Sequence, residues 1–379
     1  MNPNPIYLDY NSTTPVDPQV LEAMLPYFTE RFGNAASRTH AFGWVADEAV
    51  KIARKQIAKA IGAEEMEVIF TSGATEAINL AIKGVAESYV IKGKHIITVA
   101  TEHKAVLDTC KHLEKNGYEI TMLPVMRDGL VDHDLLEKSI RTDTILVAVM
   151  LANNETGVIQ DLNSIGQIVH QKNSILFTDA TQALGKINVD VNELYADIMS
   201  ISAHKVYGPK GVGALYVRRK NPRVTLAPQI DGGGHERGFR SGTLNVPGIV
   251  GFGKACELAT KNLFEESGRI SLLRTRLEQV LTENGKASVN GNIKNRLPNT
   301  SNICFHNLKA DELIKACPEL ALSTGSACSS ALAEPSHVLK AMGLSEKEAY
   351  GSVRFSIGRF TDGEQIEKAI QAILHYTKK

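Results

Sequence analysis

The chain is predicted to be an α/β protein: a mostly parallel, seven-stranded sheet covered by helices on both faces, followed by a smaller α+β unit. Three observations predict it. Over the first two thirds, short apolar runs of strand length alternate with amphipathic helical patterns. Each of these runs ends at polar or ionisable residues, as strands do where an open parallel sheet meets a ligand. After Thr243 the alternation gives way to one long helical stretch and then to shorter, mixed elements. Regular alternation argues crossover helices on both faces of the sheet.

Residues 1–14 read as loop, and from Pro15 a helical spacing of Val20, Leu21, Met24, Leu25 and Phe28 begins. Gly33-Asn34-Ala35-Ala36-Ser37 breaks it, and a helix follows over 43–61. Strands are expected at 67–70, 95–99, 119–123, 144–151, 175–178, 197–201 and 213–217, with helices at 76–90, 104–115, 134–140 and 162–171. A helix carrying Pro247 then runs to about Glu283 and reads as a connector. Beyond it come strands at 300–305 and 352–357 and helices at 310–317, 336–342 and 365–375. The expected division is a large domain over 15–257, with a small domain of 1–14 and 258–379 carrying Cys328 and Arg354.

Composition narrows the function classes. Of 379 residues, 43% are hydrophobic and 22% charged, the balance of an ordinary soluble globular protein. Lys plus Arg and Asp plus Glu both total 42, so no global field draws the chain to nucleic acid or an anionic membrane, and neither is expected as a partner. The N-terminal MNPNPIYLDYNSTTP lacks the apolar core of a signal peptide, and no apolar run reaches the length of a membrane span. Five cysteines, odd in number and without a C-x-x-C pair, suit a reducing cytoplasm and make neither a disulfide framework nor a structural zinc site. The eleven histidines show no H-E-x-x-H cluster.

The chemistry gathers at the strand ends. Thr71-Ser72-Gly73-Ala74-Thr75, Glu102-His103, Asn153-Asn154-Glu155, Asp179 with Gln182, and Ser202 with His204 and Lys205 would all reach one rim. Singly, Lys205 reads as a solvated loop residue and Asp179 as a cap or turn former. Together they are the amine and carboxylate that pyridoxal phosphate asks of a protein, one to form a Schiff base and one to hold the ring nitrogen protonated. The narrow Tyr207-Gly208-Pro209-Lys210-Gly211 fixes the backbone just beyond Lys205. Gly73 and the free amides opening the next helix, with the Thr75 hydroxyl, suit a phosphate, and Ser202 and His204 could add donors. His103 is flat enough to stack on a ring and titrates near neutrality. Cys328 alone among the cysteines sits in a small, polar stretch, Ser323-Thr324-Gly325-Ser326-Ala327-Cys328-Ser329-Ser330, which suits a reactive thiolate.

The segments FTSGATEAINLAIKG, TEHKAVLDTCKHLE, NNETGVIQD, TDATQALGK, SAHKVYGPKGVGALYVRR, GGGHERGFRSGT, STGSACSS and RFSIGRFT resemble the cysteine desulfurases of the NifS and IscS type. These belong to the class V aminotransferase group with the type I pyridoxal phosphate fold. The resemblance covers almost the whole chain, and it implies a homodimer with active sites near the subunit interface. Carried over by motif, Lys205 is the Schiff-base lysine, Asp179 the pyridinium partner and His103 the ring-stacking acid/base. Gln182 and Asn154 reach the ring hydroxyl. Ala74, Thr75, Ser202 and His204 hold the phosphate, joined by Thr243 of the second subunit. Arg354, with Asn154, binds the substrate carboxylate. Cys328 receives sulfur from L-cysteine as a persulfide, alanine leaves, and an acceptor protein takes the sulfur for iron–sulfur cluster assembly or tRNA thiolation. No metal site is implied, any iron–sulfur contact running through Cys328 alone.

Two departures stand out. Leu151-Ala152 precedes the paired asparagines where the family commonly has His-Val, and the sequence ends at Lys379, short of the tail by which the housekeeping type docks its scaffold. Docking by that route is not expected. The alternatives are a selenocysteine lyase or another enzyme of the same fold, and a non-catalytic sulfur-relay or assembly module; an aminotransferase would need no cysteine loop.

Overall fold

The computed structural model describes residues 5–324 and 335–377. Its strands are β1 (Ile6–Tyr7), β2 (Val68–Thr71), β3 (His95–Val99), β4 (Glu119–Leu123), β5 (Thr144–Ala148), β6 (Ile175–Asp179), β7 (Ile198–Ser202), β8 (Gly213–Val217), β9 (Ala287–Val289), β10 (Thr300–Phe305), β11 (Leu320–Ala321) and β12 (Ser352–Ser356). The helices are α1 (Pro18–Met24), α2 (Pro26–Thr29), α3 (Ala41–Ala60), α4 (Ala74–Ser88), α5 (Lys104–Lys115), α6 (His133–Ser139), α7 (Leu162–Gln171), α8 (Val246–Thr282), α9 (Ala310–Ala316), α10 (His337–Ala341), α11 (Glu346–Tyr350) and α12 (Gly363–Thr377).

The large sheet has seven strands in the order β2-β8-β7-β6-β5-β3-β4. Its pairs are parallel except at β8, which runs antiparallel to both β2 and β7. Every residue of β3, β5, β6, β7 and β8 is buried, because helices cover both faces and erase the alternation of a half-exposed strand. One face packs against α3, α7 and the first half of α8 through Val50, Ile57, Ile165, Val169, Ile249 and Phe252. The other packs against α4 and α5 through Ile78, Ile82, Val85 and Val106. A Cβ on Gly253 would stand 2.6 Å from Ala53 Cα, so glycine is what lets α8 lie against α3.

At the edge of this unit a buried Arg54 grips Glu236 through two bonds of 2.9 and 2.6 Å, and Glu236 also accepts the Phe70 amide at 2.8 Å. The second half of α8 leaves the large sheet and joins a different core. There Ile270, Leu277 and Leu281 meet Leu8, Ile303, Phe305, Val353, Phe355 and, from α12, Ile366, Ile370 and Ile373. In that unit β10 is flanked by β12 and β9, both antiparallel, and β1 pairs parallel with β11. Among the described residues no helix is long and apolar enough to cross a membrane.

The expected strand over 144–151 ends at Ala148, because the chain beyond it turns its Met150 amide to the buried Glu102 carboxylate. The expected helix at 76–90 starts two residues earlier, at Ala74, because Glu76 reaches back to accept the Ser72 amide and closes the first turn. The strands β1, β9 and β11 and the helix α11 were not foreseen, since two to five residues carry too little periodicity.

Candidate active site

A cavity of about 610 Å³ opens at the carboxyl ends of β2, β5, β6 and β7, and its walls include Gly73, Ala74, Thr75, His103, Asn154, Asp179, Gln182, Ser202, His204, Lys205 and Arg354. Asp179 is the last residue of β6 and is buried. One of its carboxylate oxygens accepts the Thr181 amide at 3.0 Å and the Ser200 hydroxyl at 3.1 Å, which fixes the plane and leaves the other oxygen to the cavity. Lys205 follows β7 in a short 3-10 turn, and its amine donates to the carbonyls of Asn11 and Ser12, both at 2.6 Å.

Burial and the Arg354 guanidinium lower the Lys205 ammonium pKa to about 8, against the pull of Asp9 and Asp179. His204, facing Thr13 Oγ1 at 3.1 Å, is lowered to about 4 by burial and by Lys205, so it is neutral and can share a proton without adding charge. His103 caps α5: its Nδ1 accepts the Ala105 amide at 3.1 Å, which leaves Nε2 to the cavity. The cavity walls and Lys205 lower its pKa, while Asp179 raises it.

The opening of α4 is a backbone cradle. Gly73 is its N-cap with φ +156, and no side chain caps the turn. Among the described residues the amides of Ala74, Thr75 and Glu76 have no hydrogen-bond partner, while the Glu76 carboxylate, which accepts the Ser72 amide, has its charge paired with Arg240 at 2.8 Å. Arg354, on β12, is nearly fully buried and is tied to Asp9 Oδ1 at 2.6 Å, Ser12 Oγ at 2.7 Å and the Asn154 carbonyl at 3.0 Å, while its Nε has no partner among the described residues.

Ten of the expected positions therefore line one cavity: Ala74, Thr75, His103, Asn154, Asp179, Gln182, Ser202, His204, Lys205 and Arg354. Thr243 is not among the lining residues and is exposed on the stretch before α8. Cys328 lies outside the described residues. Sequence reasoning missed Asn11, Ser12 and Thr13, which close the cavity from the N-terminal segment, and Ser200, which steadies Asp179. The polar run Asn11-Ser12-Thr13-Thr14 after an apolar Leu8 was the available signal. Glu102, expected at the rim, is not among the lining residues: its carboxyl is buried, driven well above the usual pKa by desolvation, and holds the Met150 amide.

The sequence profile of the aminotransferase class-V family matches residues 6–369. The chain belongs to the class V aminotransferase family. Within this family it is 55% identical over 368 residues to the cysteine desulfurase IscS of Anaeromyxobacter dehalogenans (strain 2CP-C), an alignment covering 97% of this chain and 91% of that protein. Among solved structures, a NifS-like protein superposes with a TM-score of 0.92 at 38% identity, covering 99% of both chains. A structure described as SspA in complex with cysteine gives 0.82 at 38% identity, over 94% of this chain and 99% of that one. These likenesses carry the enzymatic class of the chain, and the observed sheet is the one expected of the type I fold.

Proposed function

We propose that the protein is a pyridoxal-phosphate-dependent cysteine desulfurase, converting L-cysteine and an enzyme thiol into L-alanine and an enzyme persulfide. The observation that carries the reading is the delivery of Lys205 and Asp179 from the ends of neighbouring strands into one cavity that is also lined by the N-terminus of α4, whose first amides have no partner among the described residues. That donor set fits the cofactor: a carboxylate for the ring nitrogen, an amine for the aldehyde, and unpartnered amides at the positive end of α4 for the phosphate. When bound, the cofactor supplies the electron sink that lets bonds at the substrate's α- and β-carbons weaken.

Each side chain then has a task. Asp179, held by Thr181 and Ser200, keeps a proton on the ring nitrogen. Lys205, whose amine is easily freed of its proton, would hold the cofactor through its aldehyde, and its Nζ is the base that would take the substrate's α-proton. His103 would cover the ring, with Nε2 left to move a proton. Arg354 and Asn154 receive the substrate carboxylate, which would compete with Asp9 for the guanidinium.

Sulfur needs a thiol to accept it. The four described cysteines, Cys110, Cys256, Cys304 and Cys317, are buried, and burial pushes all four thiols up, Cys110 to about 12. That favours Cys328 as the nucleophile. Of the described residues to either side of it in sequence, Ser323 accepts the Arg354 amide at its carbonyl at 2.7 Å, and His337 Nε2 lies 3.0 Å from the Glu102 carbonyl. Persulfide sulfur then passes to an acceptor protein, in iron–sulfur assembly or tRNA thiolation.

A second copy of the chain completes this reading. Phe32 and Trp44 are 62% and 58% exposed, Leu25, Phe28 and Phe42 are also exposed, and Phe32 packs on Phe42 with centroids 5.2 Å apart. Such a patch suits a homodimer interface, across which Thr243 would reach the other phosphate site. The free thiols fit a reducing cytoplasm.

The test is to incubate the purified protein with L-cysteine and quantify alanine and protein-bound persulfide together, beside Cys328→Ser. Equal amounts of both are expected from the natural chain, and a variant that keeps the cofactor but forms no persulfide. Alanine without persulfide would mark a different lyase, and neither product a relay module.

A further inference from the structure

We propose that Lys186 is a positioning residue of this reaction: from behind the cavity wall it fixes the side-chain amide of Gln182, and through it the carbonyl that holds Lys205. The inference rests on the cofactor reading above. Three hydrogen bonds make the connection. Lys186 Nζ donates to Gln182 Oε1 at 2.7 Å, Gln182 Nε2 donates to the Asn11 carbonyl at 2.9 Å, and Lys205 Nζ donates to that same carbonyl at 2.6 Å.

An amine on a lysine has protons to offer, and a carbonyl has only lone pairs. Both neighbours of Gln182 therefore demand one orientation, oxygen toward Lys186 and nitrogen toward Asn11. The second amide proton is left as the group that Gln182 presents to the cavity it lines. Without Lys186 the amide oxygen loses its partner, and the orientation loses one of its two determinants.

The backbone around Lys186 is built to hold it there. Gly185 has φ +73, and a Cβ on it would stand 2.5 Å from Val206 Cγ2, so the turn between Gln182 and Lys186 admits only glycine without a shift. The Lys186 amide donates to the Ala183 carbonyl at 3.0 Å, and its own carbonyl accepts the Ser267 hydroxyl at 2.7 Å from α8. Among the described residues no carboxylate lies within ion-pair distance of its amine. The charged groups about it are Lys205 and Arg354 on the active-site side, Glu266, which is paired with Arg359, across a small cavity shared with Lys205, and, around a further cavity of about 470 Å³ that it lines, Arg274, Lys294 and Arg296. Burial and the first two cations press its pKa well below the usual lysine value, and as ammonium or amine it keeps a proton for Gln182.

The test reads the resting holoenzyme with no substrate: the pH midpoint at which the visible band of the lysine-bound cofactor changes. Lys186→Met should move that midpoint by about half a unit or more, whereas Lys186→Arg, which keeps a donor, should leave it in place. Gln182→Met should move it as well, and Lys186→Met/Gln182→Met should match Gln182→Met alone. The double variant removes donor and acceptor together, a nearly neutral change for folding, so the comparison survives if Lys186→Met alone does not fold. A wild-type midpoint in Lys186→Met, or a double variant that departs from Gln182→Met, would overturn the role. A natural protein with no visible band at all would instead remove the cofactor reading beneath it.

Discussion

Only a neutral amine attacks an aldehyde, so the depressed pKa of Lys205 sets how fast the apoprotein takes up its cofactor. With a pKa of about 8, roughly a tenth of the molecules carry a free amine at pH 7, against roughly one in three thousand for a lysine at its ordinary value. The assay is stopped-flow growth of the visible band after mixing apoprotein with excess pyridoxal phosphate between pH 6 and pH 10. The rate should climb roughly tenfold per pH unit and flatten above about 8. Two substitutions test the stated causes. Arg354→Met removes a cation that lowers the pKa and releases Asp9, which raises it, so the break should move to higher pH. Asp179→Asn removes an anion that raises it, so the break should move to lower pH. A natural profile that climbs without a break through pH 10, or two variants that move it the same way, would refute the reasoning.

Gly73→Ala places a side chain at φ +156, so the apoprotein should lose roughly 1–3 kcal/mol in urea unfolding. Because the added methyl stands at the mouth of the amide cradle, equilibrium dialysis should also show weaker cofactor binding; unchanged affinity would place the phosphate elsewhere. Glu236→Leu leaves Arg54 buried without its partner and the Phe70 amide without an acceptor, a loss of about 3–5 kcal/mol, and a loss below about 1 kcal/mol would show the pair to be dispensable. Ser200→Ala removes one of two donors that fix Asp179, and should weaken cofactor retention while leaving the free energy of unfolding within about 1 kcal/mol of the natural protein's.

The large sheet was legible because its central strands are buried on both faces, so each reads as a compact apolar run ended by a polar residue. His95–Val99 and Gly213–Val217 match their expected limits for that reason. The antiparallel direction of β8 could not be read, since an apolar run has no polarity of its own. The amine, carboxylate and amide cradle were legible too, as they sit directly at strand ends. What escaped was supplied from far along the chain. The carbonyls of Asn11 and Ser12 hold Lys205 from 194 and 193 residues away, and a backbone carbonyl leaves no mark on the sequence. Ser200 looked like any small residue within a strand, and only its pairing position opposite Asp179 reveals what its hydroxyl does.

Borohydride reduction of the cofactor-loaded protein, followed by peptide mapping of the modified lysine, puts the account to its most direct trial. Among the described residues, three lysines line this cavity or the small one beside it: Lys186, Lys205 and Lys210. The modification is expected on Lys205 alone, with Lys205→Ala left unmodified and Asp179→Asn still modified. Label on Lys186 or Lys210 in the natural protein, or no label on any of the three, would contradict the assignment.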